Sequence, residues 1–192
     1  MKLLLIRHAE SEANAGYLTS NPATIGLTKR GVEEAQLLPD QIFDAPDLII
    51  VTEYTRTLQT ALPLICKYSS VPVEIWPLHE FTFLSPLTCS NTTVAERLPL
   101  VKKYWDLCDP DFVHGAGSES FNQFVERLTD AITKLKNLPH SRVTIFTHGH
   151  VIRFLKQYVE NGRQAPQTAI AHYRDHMLPY PVANTAILHL EL

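Results

Sequence analysis

The sequence is short of cysteine, of clustered positive charge and of long apolar runs. Its three cysteines, Cys66, Cys89 and Cys108, are odd in number and contain no Cys-x-x-Cys pair. They predict neither a disulfide framework nor a zinc knuckle, and they fit free thiols in a reducing compartment. Lys and Arg total 17 against 20 Asp and Glu, for a formal net charge of -3, and no basic run stands out. Nonspecific nucleic-acid binding needs a clustered basic footprint, so the pattern argues against a nucleic-acid partner. A small local anion pocket stays open. Only Leu3 to Ile6 separate Lys2 from Arg7. That stretch is too short for a signal-peptide core or a membrane span, so a cytoplasmic protein without a membrane partner is expected. What is present is ordinary: 192 residues, 45% hydrophobic and 19% charged. That is enough for one core and a small insertion.

Residues 2–7 (KLLLIR) predict a short buried strand. Thr28 reads as the N-cap of a helix with Val32, Ala35 and Leu38 on one face, limited by Pro39. Residues 47–52 predict a second buried strand, and 53–67 a helix with Leu58, Ala61, Leu62 and Ile65 inward, which Pro63 should kink or shorten. Residues 72–76 predict a weaker third strand. From about 77 to 117 prolines punctuate an irregular pattern with helical fragments near 92–107. This region reads as a cap or insertion within a single domain spanning 1–192. Ser118 is expected to cap the clearest helix, on which Phe121, Phe124, Val125, Leu128, Ala131, Ile132 and Leu135 recur at helical spacing. Residues 142–147 predict another strand. Gly149 opens a helix that Asn161-Gly162 end, and 185–190 close the chain as a strand. This alternation predicts an α/β fold, a three-layer α/β/α sandwich whose mostly parallel sheet carries helices on both faces.

In such sheets ligands bind beyond the carboxyl ends of the strands. The first strand ends in Arg7-His8. The second leads through Thr52 to Arg56, the third through Pro77 to His79-Glu80, and the fourth ends in His148-Gly149-His150. Taken singly, each has an ordinary reading as a solvated arginine, a turn histidine or an exposed carboxylate. The alternating histidines raise a metal site, but a helix turns residues two apart away from each other. Taken jointly, two guanidiniums and a histidine suit a doubly charged tetrahedral oxyanion. Asn14 can add a neutral donor, and the helix starting at Gly149 adds backbone N–H groups. A second histidine is then available as nucleophile, and a carboxylate as proton donor to the leaving oxygen. No metal or other cofactor is expected, because the arginines neutralise the charge.

These residues resemble the histidine phosphatase superfamily, the phosphoglycerate mutase-like group, and within it the small phosphatases. The resemblance rests on Arg7-His8-Ala9-Glu10-Ser11-Glu12-Ala13-Asn14, on Leu27-Thr28 with Gly31, Ala35 and Gln36, and on the block from Thr52 to Ala61 containing Arg56. It continues through Leu78-His79-Glu80, Gly117-Ser118-Glu119-Ser120 with Arg127, His148-Gly149, and the closing segment from Asn184 to Leu190. It implies a phosphoglycerate mutase-like fold. It also implies His8 as the phosphorylated nucleophile, Arg7, Arg56 and His148 as binders of the phosphoryl group, Asn14 as a further donor and Glu80 as the acid. Glu119 and Glu12 are alternative acids. Ala9, Thr52 and Thr57 depart from the Gly, Ser and Ala usual at those places. Mutases of the family carry Arg, Lys and Tyr after the acid, whereas here the segment is Phe81-Thr82-Phe83-Leu84-Ser85-Pro86.

The expected activity is therefore metal-independent hydrolysis of phosphomonoesters through a phosphohistidine. A phosphoglycerate-type mutase and a non-catalytic phosphate- or phosphoprotein-binding module are the alternatives. Phe81, Phe83, Tyr17 and Trp105 either line a substrate mouth or fill the cap core. The substrate, a small phosphorylated compound or a phosphoprotein side chain, and the oligomeric state are not specified by these residues.

Overall fold

The computed structural model describes residues 1–192. Uninterrupted apolar runs become strands buried on both faces: β1 (Lys2–Arg7), β2 (Leu48–Val51) and, later in the chain, β4 (Arg142–Thr147). β3 (Val73–Ile75) lies outside β2, and β5 (Ile187–Glu191) lies outside β1. The order is β3-β2-β4-β1-β5, parallel throughout except for β5. The short β3 is exposed along its length, as befits an edge. The helices are α1 (Lys29–Gln36), α2 (Thr55–Lys67), α3 (Val94–Leu107), α4 (Phe121–Lys136), α5 (Gly149–Asn161) and α6 (Pro166–His172).

Strand alternation divides the core into two layers. Leu3, Leu5, Leu48, Ile50, Val143 and Ile145 face α4, α5 and α6. Ile6, Ile49, Val51 and Phe146 face Leu38, Ala61 and Leu64 on the other side. The result is the three-layer α/β sandwich expected, with one antiparallel edge strand.

Three local readings differ from the expectation. The cap of α4 is Ser120, not Ser118: Ser120 Oγ accepts from Gln123 N at 3.2 Å, and Gln123 Oε1 accepts from Ser120 N at 2.8 Å. A reciprocal capping box needs Glu or Gln three residues on, which Ser120 has and Ser118 lacks. Ser118 instead closes a turn on Gly115 O at 2.8 Å. The inward face of α2 is Arg56, Thr57, Thr60, Ala61 and Leu64, while Leu58 and Leu62 are 48% and 53% exposed. Polar partners near the sheet edge turn this face inward against the hydrophobic pattern, and Pro63 does not shorten the helix. On α1, Val32 is exposed and Gly31 packs inward. A Cβ at Gly31 would stand 2.0 Å from Glu10 O, so only glycine lets this helix approach the loop after β1.

Residues 77–117 carry α3, which a capping box between Thr93 and Glu96 starts. Tyr104 and Trp105 of α3 pack into the main core with Phe81 and Phe124. Arg97 ties this segment to the loop after β1 by donating to Thr19 Oγ1 at 2.7 Å and Thr92 O at 2.6 Å. α6 had no sequence expectation. It starts with Pro166 in its first turn and buries Ala169 and Ile170.

Candidate active site

The ends of β1 and β4 meet because their ladder runs one residue past the strand: His8 N donates to Thr147 O at 2.9 Å. Asn184 Nδ2 donates to His8 O at 2.9 Å, fixing the main chain from the other side. The His8 side chain is 3% exposed. Its Nδ1 lies 2.8 Å from Ala9 O. A carbonyl oxygen only accepts, so Nδ1 carries the proton and Nε2 keeps its lone pair. Burial, then the charges of Arg56 and Arg7, hold the His8 pKa well below the usual histidine range. The ring is therefore neutral.

His148 caps α5 and is fully buried. Arg56 Nη2 donates to its Nδ1 at 3.2 Å. Guanidinium cannot accept, so the His148 proton sits on Nε2, which donates to Thr52 Oγ1 at 3.1 Å. Thr52 Oγ1 passes its own proton to Thr57 Oγ1 at 2.9 Å, and Thr57 donates to Tyr54 O at 2.8 Å. The chain ends on a main-chain carbonyl, so every proton position in it is fixed. Thr52 keeps the hydroxyl of the serine usual at its place, and Thr57 adds one where alanine is usual. Burial and the charge of Arg56 depress the His148 pKa as well. The two imidazole centroids are 5.2 Å apart.

Arg56 is anchored by Pro22 O at 2.7 Å and lies 4.7 Å from the Tyr54 ring centroid. Burial lowers its pKa to about 10, against the opposing pull of Glu80. Arg7 Nη1 donates to Val182 O at 2.6 Å, while its buried Nε has no partner. Buried Arg56 and half-buried Arg7 are thus hydrogen-bonded to neutral acceptors, with the Glu80 carboxylate as the nearby opposite charge. Asn14 Oδ1 accepts from Ser11 Oγ and Asn184 Nδ2, each at 3.0 Å, which leaves its Nδ2 to donate elsewhere.

Glu80 Oε1 accepts from Phe81 N at 3.1 Å and His150 N at 3.0 Å, placing the carboxylate at the N-terminus of α5. A Cβ on Gly149 would lie 3.7 Å from both Arg7 Nε and Glu80 Oε2, so Gly149 sits between these two groups. A cleft of about 380 Å³ is lined by Arg7, His8, Asn14, Arg56 and Glu80 among others. His148 and Gly149 stand behind this lining. Neither Glu12 nor Glu119 faces the cleft. Glu119 instead grips Arg127 at 2.6 and 3.1 Å and accepts from Thr82 N at 3.2 Å. Arg127 in turn donates to Pro77 O at 2.6 Å and His79 O at 3.2 Å. This pair braces the segment that carries Glu80.

Phe81, Phe83, Leu84 and Val101 line the same cleft, together with Arg97. Trp105 is core, and Tyr17 is 59% exposed outside the lining. Sequence reasoning missed Thr60, whose Oγ1 accepts from Ala9 N at 3.0 Å, and it missed Arg97 and the positioning by Asn184. The inward threonines of α2 were the available signal, as a polar stripe on a helix flanking a sheet. His148 and His150 take different partners: the His150 ring turns to the Tyr173 hydroxyl, 2.8 Å away.

Comparison with known proteins agrees with this architecture. Adenosylcobalamin/alpha-ribazole phosphatase of Escherichia coli is 30% identical over 181 residues, covering 91% of this chain and 85% of that protein. The crystal structure of the alpha-ribazole phosphatase from Shigella flexneri superimposes with a TM-score of 0.76 at 25% identity, covering 100% of this chain and 91% of that one. The 2,3-bisphosphoglycerate-dependent phosphoglycerate mutase of Pasteurella multocida is 22% identical over 83% of this chain and 85% of its own length. A family model matches residues 3–178, and by that match the chain belongs to branch 1 of the histidine phosphatase superfamily.

Proposed function

We propose that this phosphomonoesterase transfers the phosphoryl group of its substrate to Nε2 of His8 and from there to water, without a metal. The observation that carries the reading is the tautomer of His8. Its Nδ1–H is tied to Ala9 O, so the nucleophilic lone pair is on Nε2, in a cleft that Arg7 and Arg56 also line. Arg7, Arg56 and Asn14 hold the phosphoryl oxygens, with His148 behind them and the first turn of α5 from Gly149 adding its positive end. As the Nε2–P bond forms, the ester P–O bond breaks, and a protonated Glu80 gives its proton to the leaving oxygen. The resulting carboxylate takes a proton from water as that water attacks phosphorus. Phosphate leaves and His8 regains its lone pair.

Hydrolysis rather than mutase transfer fits the apolar segment Phe81–Pro86 on the cleft wall, where a phosphoglycerate would need cations. The intact set of Arg7, His8, Arg56, Glu80 and His148 weighs against a binding module without turnover. The cleft volume suits a small phosphorylated compound, and the relatives put alpha-ribazole phosphate on the substrate panel. No helix is long and apolar enough to cross a membrane. With three free cysteines, the cytoplasm is the compartment we assign. The chain acts as one domain, residues 77–117 forming its cap.

The test is p-nitrophenyl phosphate hydrolysis with EDTA present, for wild type beside His8→Ala. Metal-independent turnover that the variant loses, with an acid-labile phosphoenzyme trapped only in wild type, is expected. Turnover near wild type in His8→Ala would sink the assignment.

A further inference from the structure

His150 has a role that the phosphoryl chemistry does not use. Its main-chain N–H holds Glu80 Oε1 at 3.0 Å, so the residue stands beside the acid, on the side from which the alcohol departs. Its ring is stacked near-parallel with Trp105 and Tyr173, with centroids 6.2 and 5.8 Å away. Phe81 and Phe83 meet it edge-on at 6.0 and 5.8 Å. The imidazole is thus held in one plane before any ligand arrives.

The protonation of that ring follows from Tyr173. The Tyr173 hydroxyl lies 2.8 Å from His150 Nδ1 and 3.1 Å from the His150 carbonyl oxygen. It has one proton to give. Given to the carbonyl, it leaves the phenol oxygen free to accept from Nδ1–H, and both contacts are hydrogen bonds. Given to Nδ1, it leaves two oxygens facing each other unbonded. The first arrangement satisfies more groups. It places a lone pair on Nε2, which has no protein partner in a residue that lines the cleft. Burial lowers the His150 pKa to about 4, so the ring stays neutral in ordinary buffers.

We propose that His150 is a specificity-determining residue whose Nε2 accepts a hydrogen bond from a hydroxyl of the leaving alcohol. The inference rests on the phosphatase reading and names its substrate class: phosphate esters of alcohols bearing a further hydroxyl near the ester. A fixed acceptor in an apolar wall rewards a donor and repels a carboxylate. Arg97 lines the same cleft, with its Nε and Nη2 held by Thr92 and Thr19.

The experiment compares kcat/KM for glycerol 1-phosphate and for propyl phosphate, which lacks the hydroxyls, in wild type, His150→Phe and Tyr173→Phe. The wild type should favour glycerol phosphate, and His150→Phe should lower the ratio of the two about tenfold, the weight of one hydrogen bond. Tyr173→Phe, which frees the imidazole tautomer without touching the cleft wall, should lower it by less. It also tests the idea should His150→Phe fail to fold. A purely structural role would depress both substrates alike, and a ratio unchanged in the folded variants would overturn the proposal. Failure of wild type to hydrolyse either ester or p-nitrophenyl phosphate would overturn the phosphatase reading and this proposal with it. Nitrophenyl turnover with no preference between the two alkyl esters would overturn the His150 assignment alone.

Discussion

Acid should destabilise this protein through its buried neutral histidines, and His150 gives the clearest measure. Its folded pKa is about 4, against the unfolded histidine value of about 6.5. Between those values the unfolded chain binds a proton that the folded chain refuses. Stability is therefore highest above pH 6.5 or so and falls as pH drops, at up to about 1.4 kcal/mol per pH unit for each such group. From neutrality to pH 5 the loss from His150 is about 2 kcal/mol. His8 and His148, also depressed by burial and by the arginines, add losses of the same sign. The assay is urea unfolding at pH 7 and pH 5 for wild type and His150→Phe. Carboxylates titrate alike in both proteins, so the difference between their pH slopes isolates His150. The variant should lose about 2 kcal/mol less than wild type over that interval. Parallel slopes would show that the ring charges freely in the fold, and the packing argument for a fixed neutral imidazole would fail.

Gly31→Ala should cost about 3 kcal/mol in urea unfolding, because the new methyl meets the Glu10 main chain rather than a movable side chain. A loss under half that would mean α1 can shift away from the loop. Glu80→Gln should slow alkyl phosphates by about 100-fold and p-nitrophenyl phosphate far less, since nitrophenolate needs no proton to leave. Equal losses on both would move the acid elsewhere. Thr52→Val should lower kcat about tenfold, leaving His148 Nε2–H without its acceptor. Full activity there would show that the threonine relay does not set the His148 tautomer.

The strands, the alternation of elements and the positions of Arg7, His8, Arg56, Glu80 and His148 at strand ends were legible in the sequence. The reason is that apolar runs and their termini are local properties, and a parallel sheet collects its strand ends on one edge. The readings that differed were those in which partners outrank pattern. The α2 helix turns Thr57 and Thr60 inward because acceptors and donors just past β1 and β2 satisfy them, and periodicity counts only side-chain hydrophobicity. Ser120 outcompetes Ser118 because a cap is defined by reciprocal hydrogen bonds, not by a serine before an apolar run. The competition among Glu80, Glu119 and Glu12 could not be ranked along the chain. Glu119 is tied to Arg127, and only the packing of α4 against the segment from Pro77 to Thr82 makes that pair. The sequence by itself determined which residue types reach the site. The tertiary structure decided their protonation, since the proton on His8, on His148 and on His150 is placed by a neighbour 1, 92 or 23 residues away in the chain. Hydrogen-bond direction depends on what each group faces, and what it faces is set by the fold.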